Sequence, residues 1–501
     1  MPSQETVDVL VIGSGMGGAT FAAGLAPSGA KILILERGER LRDSDAARDA
    51  RAIFQRGVFR PLETWLDGAG QPFNPGNYYY VGGNTKLYGA VLIRYRAEDF
   101  SPIAYREGAT PGWPFAYDDL EPWYTRAEKL YNVRGALGFD RTEPRHSGPY
   151  PFGPVPDEPS IAKVRQRLKS VGLNPFPLPL GIDLEKWLRR AKTPWDAFPD
   201  TGSGKMDAES CGVRKALTHP NVELRENARV ERLSLEAGGK RIGGVEALVG
   251  GEQRRISAGL VILAAGAVNS AALLLASADG GIANRSDAVG RHFMNHNLSA
   301  LLAIDPRSRN DSVYQKTLGV NDFYLGNGGG RPPLGNIQLL GRVTGPILKS
   351  GLPGAPEWAL GLMSRRSVDW LAMSEDLPNP ESRVTVESGR IRLDWRRSNR
   401  SAHVGLIKAF KERLRAAGYP IVLSQAFDRR TPSHQCGTVR IGSDPATSPL
   451  DPYCRAFDHP NLFVVDASFL PTSAAVNPSL TIAAQALRVA DHIAMTDLRM
   501  T

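Results

Sequence analysis

Three glycines and one acid near the N-terminus have the spacing of a dinucleotide site. Gly13, Gly15 and Gly18 follow the apolar run VDVLVI, and Glu36 closes a second apolar run, KILILE. In such a motif the first glycine permits a tight turn, the second lets the backbone approach a pyrophosphate, and the third lets a helix pack closely on the strand. An acid at the second strand end accepts hydrogen bonds from ribose hydroxyls and disfavours a 2′-phosphate. The motif therefore predicts binding of FAD or NAD rather than NADP.

A second candidate site lies near the other end of the chain. Asp466 closes the apolar run NLFVV, a loop of small residues follows, and Asn477-Pro478 precedes a helical pattern. Asn is a preferred helix N-cap and Pro suits the first helical position. The pattern predicts a helix N-terminus, with its partial positive charge, directed out of the loop towards another part of the site.

The elements that must position these residues come from widely separated segments. The first βαβ unit is followed by a further glycine turn at Gly82 and Gly83, by strand patterns at 219–263, and by an apolar strand that ends at Asp466. A dinucleotide unit that receives strands from so far along the chain indicates one interrupted domain. Large FAD enzymes are built in this way, so the arrangement favours FAD over NAD.

Composition narrows the functional class. The 501 residues indicate more core than one simple domain holds, and the net charge of +9 comes from scattered basic residues. Without a basic run, we expect no nucleic-acid partner. The three cysteines form neither a metal-ligand spacing nor a disulfide framework, so no metal site is predicted.

Two further patterns bear on location. The N-terminal segment MPSQETVDVLVIG lacks the basic region and the cleavable apolar stretch of a secretory signal peptide. Residues 259–278 carry no charge and approach membrane-spanning length, but their pattern changes midway from a buried strand to a turn and a helix start. We therefore expect a cytoplasmic protein without a membrane span; the oligomeric state is left open.

Several motifs together resemble the glucose–methanol–choline (GMC) flavoprotein oxidoreductases over most of the chain. They are the glycine motif with Glu36, the Val81-Gly82-Gly83 turn, NARVERL, VILAAGAVNS, VGRHFMNH, SHQCGTVRIG and NLFVVDASFLPTSAAVNPSLTIAAQAL. Within this family the chain is most similar to the pyranose-oxidase branch, because that branch also has Asn at the final catalytic position. Where its glycine turn carries His-Trp, this chain has Leu87-Tyr88.

The resemblance implies an FAD-dependent oxidation of an alcohol, with hydride transfer to flavin N5. His434 matches the base that takes the hydroxyl proton, and neutral histidine suits this role at physiological pH. Asn477 would bind the same substrate oxygen, and its helix would face the flavin edge where negative charge develops. His296, Cys436 and Cys454 are expected to be structural.

The resemblance also implies how FAD is held. In the pyranose oxidases the histidine of the glycine turn bonds covalently to FAD, and Leu87 cannot form that bond, so we expect FAD to be bound non-covalently. The residues expected to bind FAD are Gly13, Gly15, Gly18, Glu36, Gly82, Gly83, Thr85, Val230, Asp466, Asn477 and Pro478.

The expected fold is mixed α/β and α+β, with an interrupted Rossmann-type FAD domain and an inserted substrate domain on an antiparallel sheet. Alternating strand patterns between 300 and 425 and an amphipathic helix at 401–419 support the insertion. The glycine-rich loop 319–336 is a candidate substrate gate or a plain exposed loop. The expected segments are 1–100, 201–298 and 426–501 for the FAD domain, and 101–200 and 299–425, with lid and loop excursions, for the substrate domain.

The expected substrate is a sugar or a glycoside, glycoside 3-oxidation included, and the electron acceptor is O₂ or another acceptor. Three alternatives stay open: the same chemistry on a non-sugar alcohol, such as an aromatic alcohol or an aminocyclitol; a flavin monooxygenase, which shares the first βαβ unit; and a non-redox lyase of the GMC family. The monooxygenase would not require the His434 and Asn477 pair.

Overall fold

The computed structural model describes residues 5–189, 197–326, 332–428, 430 and 434–498. Its strands are β1 (Glu5–Ile12), β2 (Ile32–Leu35), β3 (Trp65–Asp67), β4 (Pro72–Phe73), β5 (Ile103–Tyr105), β6 (Gly108–Thr110), β7 (Phe176–Pro177), β8 (Val222–Arg225), β9 (Ala228–Leu235), β10 (Ile242–Val249), β11 (Glu252–Leu263), β12 (Asn297–Ile304), β13 (Leu318–Val320), β14 (Asn336–Leu339), β15 (Ser367–Ser374), β16 (Arg383–Glu387), β17 (Arg390–Asp394), β18 (Ile421–Ala426) and β19 (Leu462–Val464). Its α-helices are α1 (Met16–Leu25), α2 (Tyr117–Leu130), α3 (Pro159–Ser170), α4 (Leu184–Arg189), α5 (Arg214–Ala216), α6 (Ala267–Ala276), α7 (Gly345–Gly351), α8 (Glu357–Ser364), α9 (Arg400–Ala416) and α10 (Ser479–Met495).

The largest sheet contains the nucleotide-binding motif. Strands β8, β2, β1, β11 and β19 pair in parallel in that order, and β10 and β9 continue from β11 as an antiparallel meander. The parallel strands are apolar and mostly buried, as expected for strands covered on both faces. Helix α10 packs closely on α1, since a Cβ added to Gly24 would lie 3.0 Å from Leu487.

This sheet confirms the interrupted Rossmann-type domain. Its strands come from three segments of the chain, which include the first βαβ unit, the strands predicted between 219 and 263 and the strand that ends before Asp466. Because parallel strands end at one edge of a sheet, the loops after β1, β11 and β19 meet there. Val465 N bonds Leu263 O at 2.9 Å, and Ala264 N bonds Ile12 O at 2.8 Å.

A second sheet is antiparallel and separate from the first. Its six strands are antiparallel in the order β18, β12, β15, β14, β13 and β7. Helix α9 covers one face, where Phe410 contacts Trp370 with ring centroids 5.1 Å apart. The predicted amphipathic face is present: Leu406, Phe410 and Leu414 are buried and Ile407 is partly buried.

The antiparallel strands predicted at 382–398 are present, but they lie outside the second sheet. β16 and β17 form a hairpin that pairs with β3 in a separate four-stranded sheet. The hairpin is bound to the segment between α6 and β12, because Val384 N donates to Gly290 O at 2.7 Å. The predicted domain boundaries therefore stay a proposal.

Two further expectations concern the whole chain. No helix within the described ranges has the length and apolarity to cross a bilayer. The cytoplasmic location stays a prediction. The centre of the candidate gate loop, at 327–331, lies outside the described residues, which include its flanking strands β13 and β14.

Candidate active site

One cavity of about 1010 Å³ extends from the nucleotide motif to the second sheet. It brings together residues from both ends of the chain, although they are more than 400 positions apart. The predicted site residues that line it are Gly13, Gly15, Glu36, Gly83, Thr85, Val230, His434, Asp466, Asn477 and Pro478. Gly18 and Gly82 do not line the cavity, but both support its wall.

The three motif glycines have different physical roles. Gly13 has a φ of +101°, and a Cβ there would lie 2.4 Å from Ala264 O, so this turn requires glycine. Gly18 packs against the turn, because a Cβ added at this position would lie 2.0 Å from Gly13 O. A Cβ at Gly15 would meet no protein atom within 4 Å, and Gly15 lines the cavity. The space beside Gly15 is therefore open for a ligand.

Glu36 closes this cradle from the side of β2. Its Oε2 accepts from Ser14 N at 3.0 Å and from Ser14 Oγ at 2.6 Å, and its Oε1 accepts from Gly38 N at 2.9 Å. Burial raises the pKa of this carboxyl. A carboxylate has about four acceptor positions, so one remains for a ribose hydroxyl. Gly82 N donates to the same Ser14 Oγ at 3.0 Å, which joins the second glycine turn to the first.

Asp466 organises the far side of the cradle. Its Oδ2 accepts from Gly266 N at 3.0 Å and from Ser270 Oγ at 2.5 Å, while its Oδ1 accepts from Ser468 N at 2.8 Å and from Ser468 Oγ at 2.6 Å. These four bonds fill the acceptor positions of the carboxylate. Asp466 therefore holds two loops of the cavity wall together, and burial raises its pKa.

The turn after β4 also contributes to the wall. Thr85 Oγ1 donates to Gly82 O at 2.5 Å and accepts from Ala208 N at 3.0 Å, so the turn is fixed at both ends. Leu87, 5% exposed, and Tyr88 both line the cavity. The Tyr88 hydroxyl donates to Met206 O at 2.6 Å, which directs it to the backbone.

A chain of side-chain hydrogen bonds runs through the opposite end of the cavity. His296 Nε2 lies 2.8 Å from Ala474 O, His434 Nδ1 lies 2.9 Å from His296 Nδ1, and Asn477 Nδ2 lies 3.3 Å from His434 Nε2. Gln338 Nε2 donates to Asn477 Oδ1 at 3.1 Å. Each end of the chain is anchored, at the Ala474 carbonyl and at the buried Gln338.

These bonds determine where the protons are. A carbonyl only accepts, so His296 Nε2 carries a hydrogen and its Nδ1 is an acceptor when the ring is neutral. His434 Nδ1 must then donate, and the lone pair of His434 is on Nε2, where the Asn477 amide donates to it. His434 lines the cavity, so a hydroxyl that takes the place of the Asn477 amide hydrogen can donate to this lone pair.

Burial keeps both histidines neutral. It lowers the pKa of His296 to about 4, and it lowers the pKa of His434 well below its usual range, with smaller effects from His296 and Lys316. Both rings are therefore neutral at physiological pH, as a general base requires. The backbone of His434 is left-handed, with φ +71°, a strained conformation of a kind that clusters at functional sites.

The expected cap of α10 was wrong. The helix begins at Ser479, and Pro478, rather than Asn477, is the flanking residue whose carbonyl accepts from Ile482 N at 3.0 Å. Among the described residues no side chain caps this helix, because the Asn477 amide bonds His434 and Gln338 instead. Its N-terminus still lines the cavity through Pro478 and Ser479.

Two members of the chain were missed from the sequence. His296 was expected to be structural, and Gln338 was not considered. His296 reaches His434 because Met294 and Cys436 form a backbone bridge, with N–O distances of 3.0 and 2.9 Å. No local pattern signals such a bridge. A polar residue within the apolar run of β14 was the available signal for Gln338, which is fully buried.

The residues present fit FAD. The cradle has open space beside Gly15, a remaining acceptor on Glu36, and the N-terminus of α10 at its far end. The first two features suit a pyrophosphate and a ribose, and the cavity continues beyond them with room for a larger ring system.

Comparison with known proteins identifies the family. Residues 198–298 and 378–486 match models described as GMC oxidoreductase, and residues 11–57 match an NAD(P)-binding Rossmann-like domain. The chain is 31% identical to 6'''-hydroxyparomomycin C oxidase of Streptomyces lividus over 97% of this chain and 92% of that protein. It is 29% identical to paromamine 6'-oxidase of Streptomyces fradiae over 97% and 91%.

A solved structure supports the same fold. Pyridoxine 4-oxidase from Mesorbium loti superposes with a TM-score of 0.67 at 20% identity, covering 97% of this chain and 99% of that one. With the Rossmann-like match, this family implies a flavin cofactor. The chain therefore belongs to the GMC oxidoreductase family and is a flavin-dependent alcohol oxidoreductase.

Proposed function

We propose that this enzyme oxidises a hydroxyl of a sugar or glycoside to the carbonyl, with FAD as the cofactor. The observation that carries the proposal is the single cavity that joins the nucleotide cradle to the Nε2 lone pair of His434. The names of the two similar Streptomyces oxidases point to aminoglycosides, which are hydroxyl-bearing sugars. A pyranose-oxidase type of reaction, glycoside 3-oxidation included, is the form that we propose.

His434 acts as the base. The substrate hydroxyl binds at Nε2 and donates its proton there, while the C–H bond of the same carbon breaks and leaves a C=O bond. The released hydride, with its electron pair, would need an acceptor beside this carbon, and a flavin held in the nucleotide cradle would supply it. Asn477 Nδ2, now 3.3 Å from Nε2, is placed to hold the same oxygen. Proton transfer of this kind contributes about 10²–10⁴-fold to a rate.

The neighbouring groups keep the base ready. His296 accepts the Nδ1 hydrogen of His434, so the ring gains a proton at Nε2 and keeps its other proton in place. Gln338 fixes the orientation of the Asn477 amide, because its Nε2 can bond only an acceptor and therefore selects Oδ1. The positive end of α10 lines the cavity and stabilises negative charge that develops there.

We propose that FAD is bound without a covalent bond. Leu87 offers no nucleophilic atom at the turn where a covalent link is expected in the pyranose oxidases, and the Tyr88 hydroxyl bonds Met206 O. Cys211, Cys436 and Cys454 are buried, and burial raises the pKa of each thiol. A raised pKa disfavours the nucleophilic thiolate.

An anaerobic screen tests this function. The purified yellow protein is mixed with sugars, glycosides, aminocyclitols and aromatic alcohols, and the flavin absorbance is followed. We expect sugars or glycosides to bleach the flavin fastest. Faster bleaching by the other alcohols would replace the substrate class, and NADPH consumption with O₂ would indicate a monooxygenase. No bleaching by any alcohol would reject the redox function.

A further inference from the structure

One peptide group in the loop between β19 and α10 is bonded at both of its polar atoms. The carbonyl of Ala474 accepts from His296 Nε2 at 2.8 Å, and His296 in turn accepts from His434. The N–H of the same peptide group belongs to Ala475, and it donates to the Tyr324 hydroxyl at 3.2 Å. Ala474 is left-handed, with φ +52°, a conformation that persists only when the surrounding contacts hold it. The peptide group therefore links the histidine pair to Tyr324.

Tyr324 extends this linkage to a buried acid. Its hydroxyl donates to Asp99 Oδ2 at 2.8 Å, and the same oxygen accepts from Arg96 N at 2.7 Å. Tyr324 and Asp99 are 3% and 2% exposed. Tyr324 belongs to the described part of the candidate gate loop 319–336, where its N donates to Asn321 O at 3.0 Å. A buried side chain of that loop is thus connected to the active site.

The hydrogen bonds of this linkage all run in one direction. The donors, in order from the active site, are His434 Nδ1, His296 Nε2, the Ala475 N–H and the Tyr324 hydroxyl, and the last acceptor is the Asp99 carboxylate. We call this set the Asp99 network. Hydrogen bonds aligned in this way polarise one another in a low-dielectric interior, and a charged acceptor strengthens the bond that it accepts. The charge of Asp99 therefore acts on His434 through four hydrogen bonds.

We propose that Asp99 and Tyr324 are positioning residues that make His434 a stronger base through the Asp99 network. This inference rests on the proposed function of His434. When His434 takes the substrate proton, its ring becomes positive in a buried site, and an acceptor that is polarised by an anion stabilises that charge. Every hydrogen of the network stays on its donor, so no proton passes along it. Without the anion, the same contacts would hold the ring but leave it a weaker base.

The groups around Asp99 leave it as the anion of the network. Burial raises the pKa of Asp99 to about 6, and Glu98 adds to this rise, while hydrogen bonds from Arg96 N and Tyr324 and the Arg96 charge oppose it. Asp99 is therefore ionised at neutral pH and loses its charge as pH falls through about 6. The other described titratable groups that interact with Asp99 are Tyr95, Tyr105, Tyr324 and Glu375. Burial raises the pKa of all four, so each is neutral at pH 7.

The groups around His434 act in the opposite sense. Burial lowers the pKa of His434, and the smaller effects of His296 and Lys316 lower it further. An anion joined to the ring through hydrogen bonds counteracts this loss of basicity, because it stabilises the protonated form. Loss of the Asp99 charge or of the Tyr324 hydroxyl should therefore lower the pKa of His434.

Anaerobic flavin reduction and histidine NMR test the inference together. Tyr324→Phe removes one hydroxyl and keeps the ring, whereas Asp99→Asn keeps an acceptor and removes the charge. With the best substrate of the wild type, each variant should reduce its flavin about 2- to 30-fold more slowly at pH 7, the range for residues coupled through a network. The acid limb of the rate should move to lower pH. In the ¹H–¹⁵N spectrum of the oxidised holoenzyme, the His434 Nδ1–H proton should move upfield, because its hydrogen bond to His296 weakens.

Tyr105→Phe is the matched control. The Tyr105 hydroxyl donates to Glu375 Oε2 at 2.6 Å, and Glu375 Oε1 accepts from Ala474 N at 2.9 Å. This control therefore also loses a tyrosine hydroxyl that is bonded to a buried acid beside the same loop. However, Ala474 N belongs to the preceding peptide group, which lies outside the Asp99 network. The rate, the acid limb and the Nδ1–H signal should all stay as in the wild type.

A double variant tests the path itself. His296→Leu interrupts the network, so adding Tyr324→Phe to it should slow flavin reduction no further. A full additional loss of rate would overturn the inference. Wild-type rate, acid limb and Nδ1–H signal in Tyr324→Phe and Asp99→Asn would also overturn it and leave Asp99 as a structural acid. If the Nδ1–H signal moves as expected but His434→Ala reduces flavin at the wild-type rate, the network is supported and the proposed function is rejected.

Discussion

Replacing His296 by leucine tests how the base is held. In the wild type, His434 Nδ1 donates to His296 Nδ1 at 2.9 Å, which keeps the lone pair of His434 on Nε2. Leucine accepts no hydrogen bond, so Nδ1–H would be a buried donor without a partner, at a cost of about 1–3 kcal/mol. That cost favours the other tautomer, whose Nε2 carries the hydrogen and cannot act as a base.

The expected effect follows from this free energy. Flavin reduction by substrate should slow by about 5- to 150-fold, without loss of bound flavin. The pH profile should also move. His296 is neutral above about pH 4, so it acts on His434 through its acceptor nitrogen. That acceptor also stabilises the protonated His434 ring, so its removal lowers the pKa of His434 and the acid limb of the reduction rate shifts to lower pH. Stopped-flow reduction from pH 4 to 9 measures both effects.

An asparagine at the same position provides the matched control. Its side-chain oxygen occupies about the place of Nδ1 and accepts the hydrogen from His434, so His296→Asn should retain most of the rate and the wild-type pH profile. The reasoning is refuted if His296→Leu reduces flavin at the wild-type rate with the same acid limb. It is also refuted if the asparagine variant is as slow as the leucine variant.

Three further predictions concern the cofactor and the buried acids. Gly15→Val should fold but lose flavin. Gly18→Ala should lower Tm, because the added Cβ would lie 2.0 Å from a carbonyl oxygen. Measurements of flavin content and of thermal unfolding distinguish loss of the cofactor from loss of stability. Burial raises the pKa of Glu375 to about 8, so the native state binds this proton between about pH 4.5 and 8, where the free energy of unfolding falls as pH rises. Glu375→Gln should therefore raise Tm at pH 9 and change it little at pH 5. The exposed control Glu381→Gln should leave Tm unchanged at both pH values. A Tm of Glu375→Gln equal to that of the wild type at pH 9 would contradict this prediction. Acid precipitation should release free FAD into the supernatant, and a yellow pellet would show that Leu87 does not exclude a covalent bond.

The sequence predicted those elements whose signals are local. The run VDVLVI, the glycine motif and KILILE became β1, α1 and β2 because apolar period and turn chemistry agree within one short segment. The amphipathic period at 401–419 likewise became α9. Gly13 and Gly18 require glycine for reasons of close backbone approach, which the motif itself implies.

Features that depend on distant pairing were not predictable in this way. The hairpin β16–β17 has an alternating pattern that gives its strands but not its partner, and it joined β3. Asn477 has the local chemistry of a cap, but a tertiary contact with His434 competes for its amide. The His296 contact arises from one backbone bridge between residues far apart in the chain, at Met294 and Cys436.

The most direct test of the central claim is anaerobic flavin reduction by His434→Ala. The cavity, the neutral ring and the Nε2 lone pair all support His434 as the general base. With the sugar or glycoside that best reduces the wild type, the variant should keep its flavin and reduce it about 10²–10⁴-fold more slowly at neutral pH. Reduction at close to the wild-type rate, with full flavin content, would remove His434 from the mechanism and contradict the proposed chemistry.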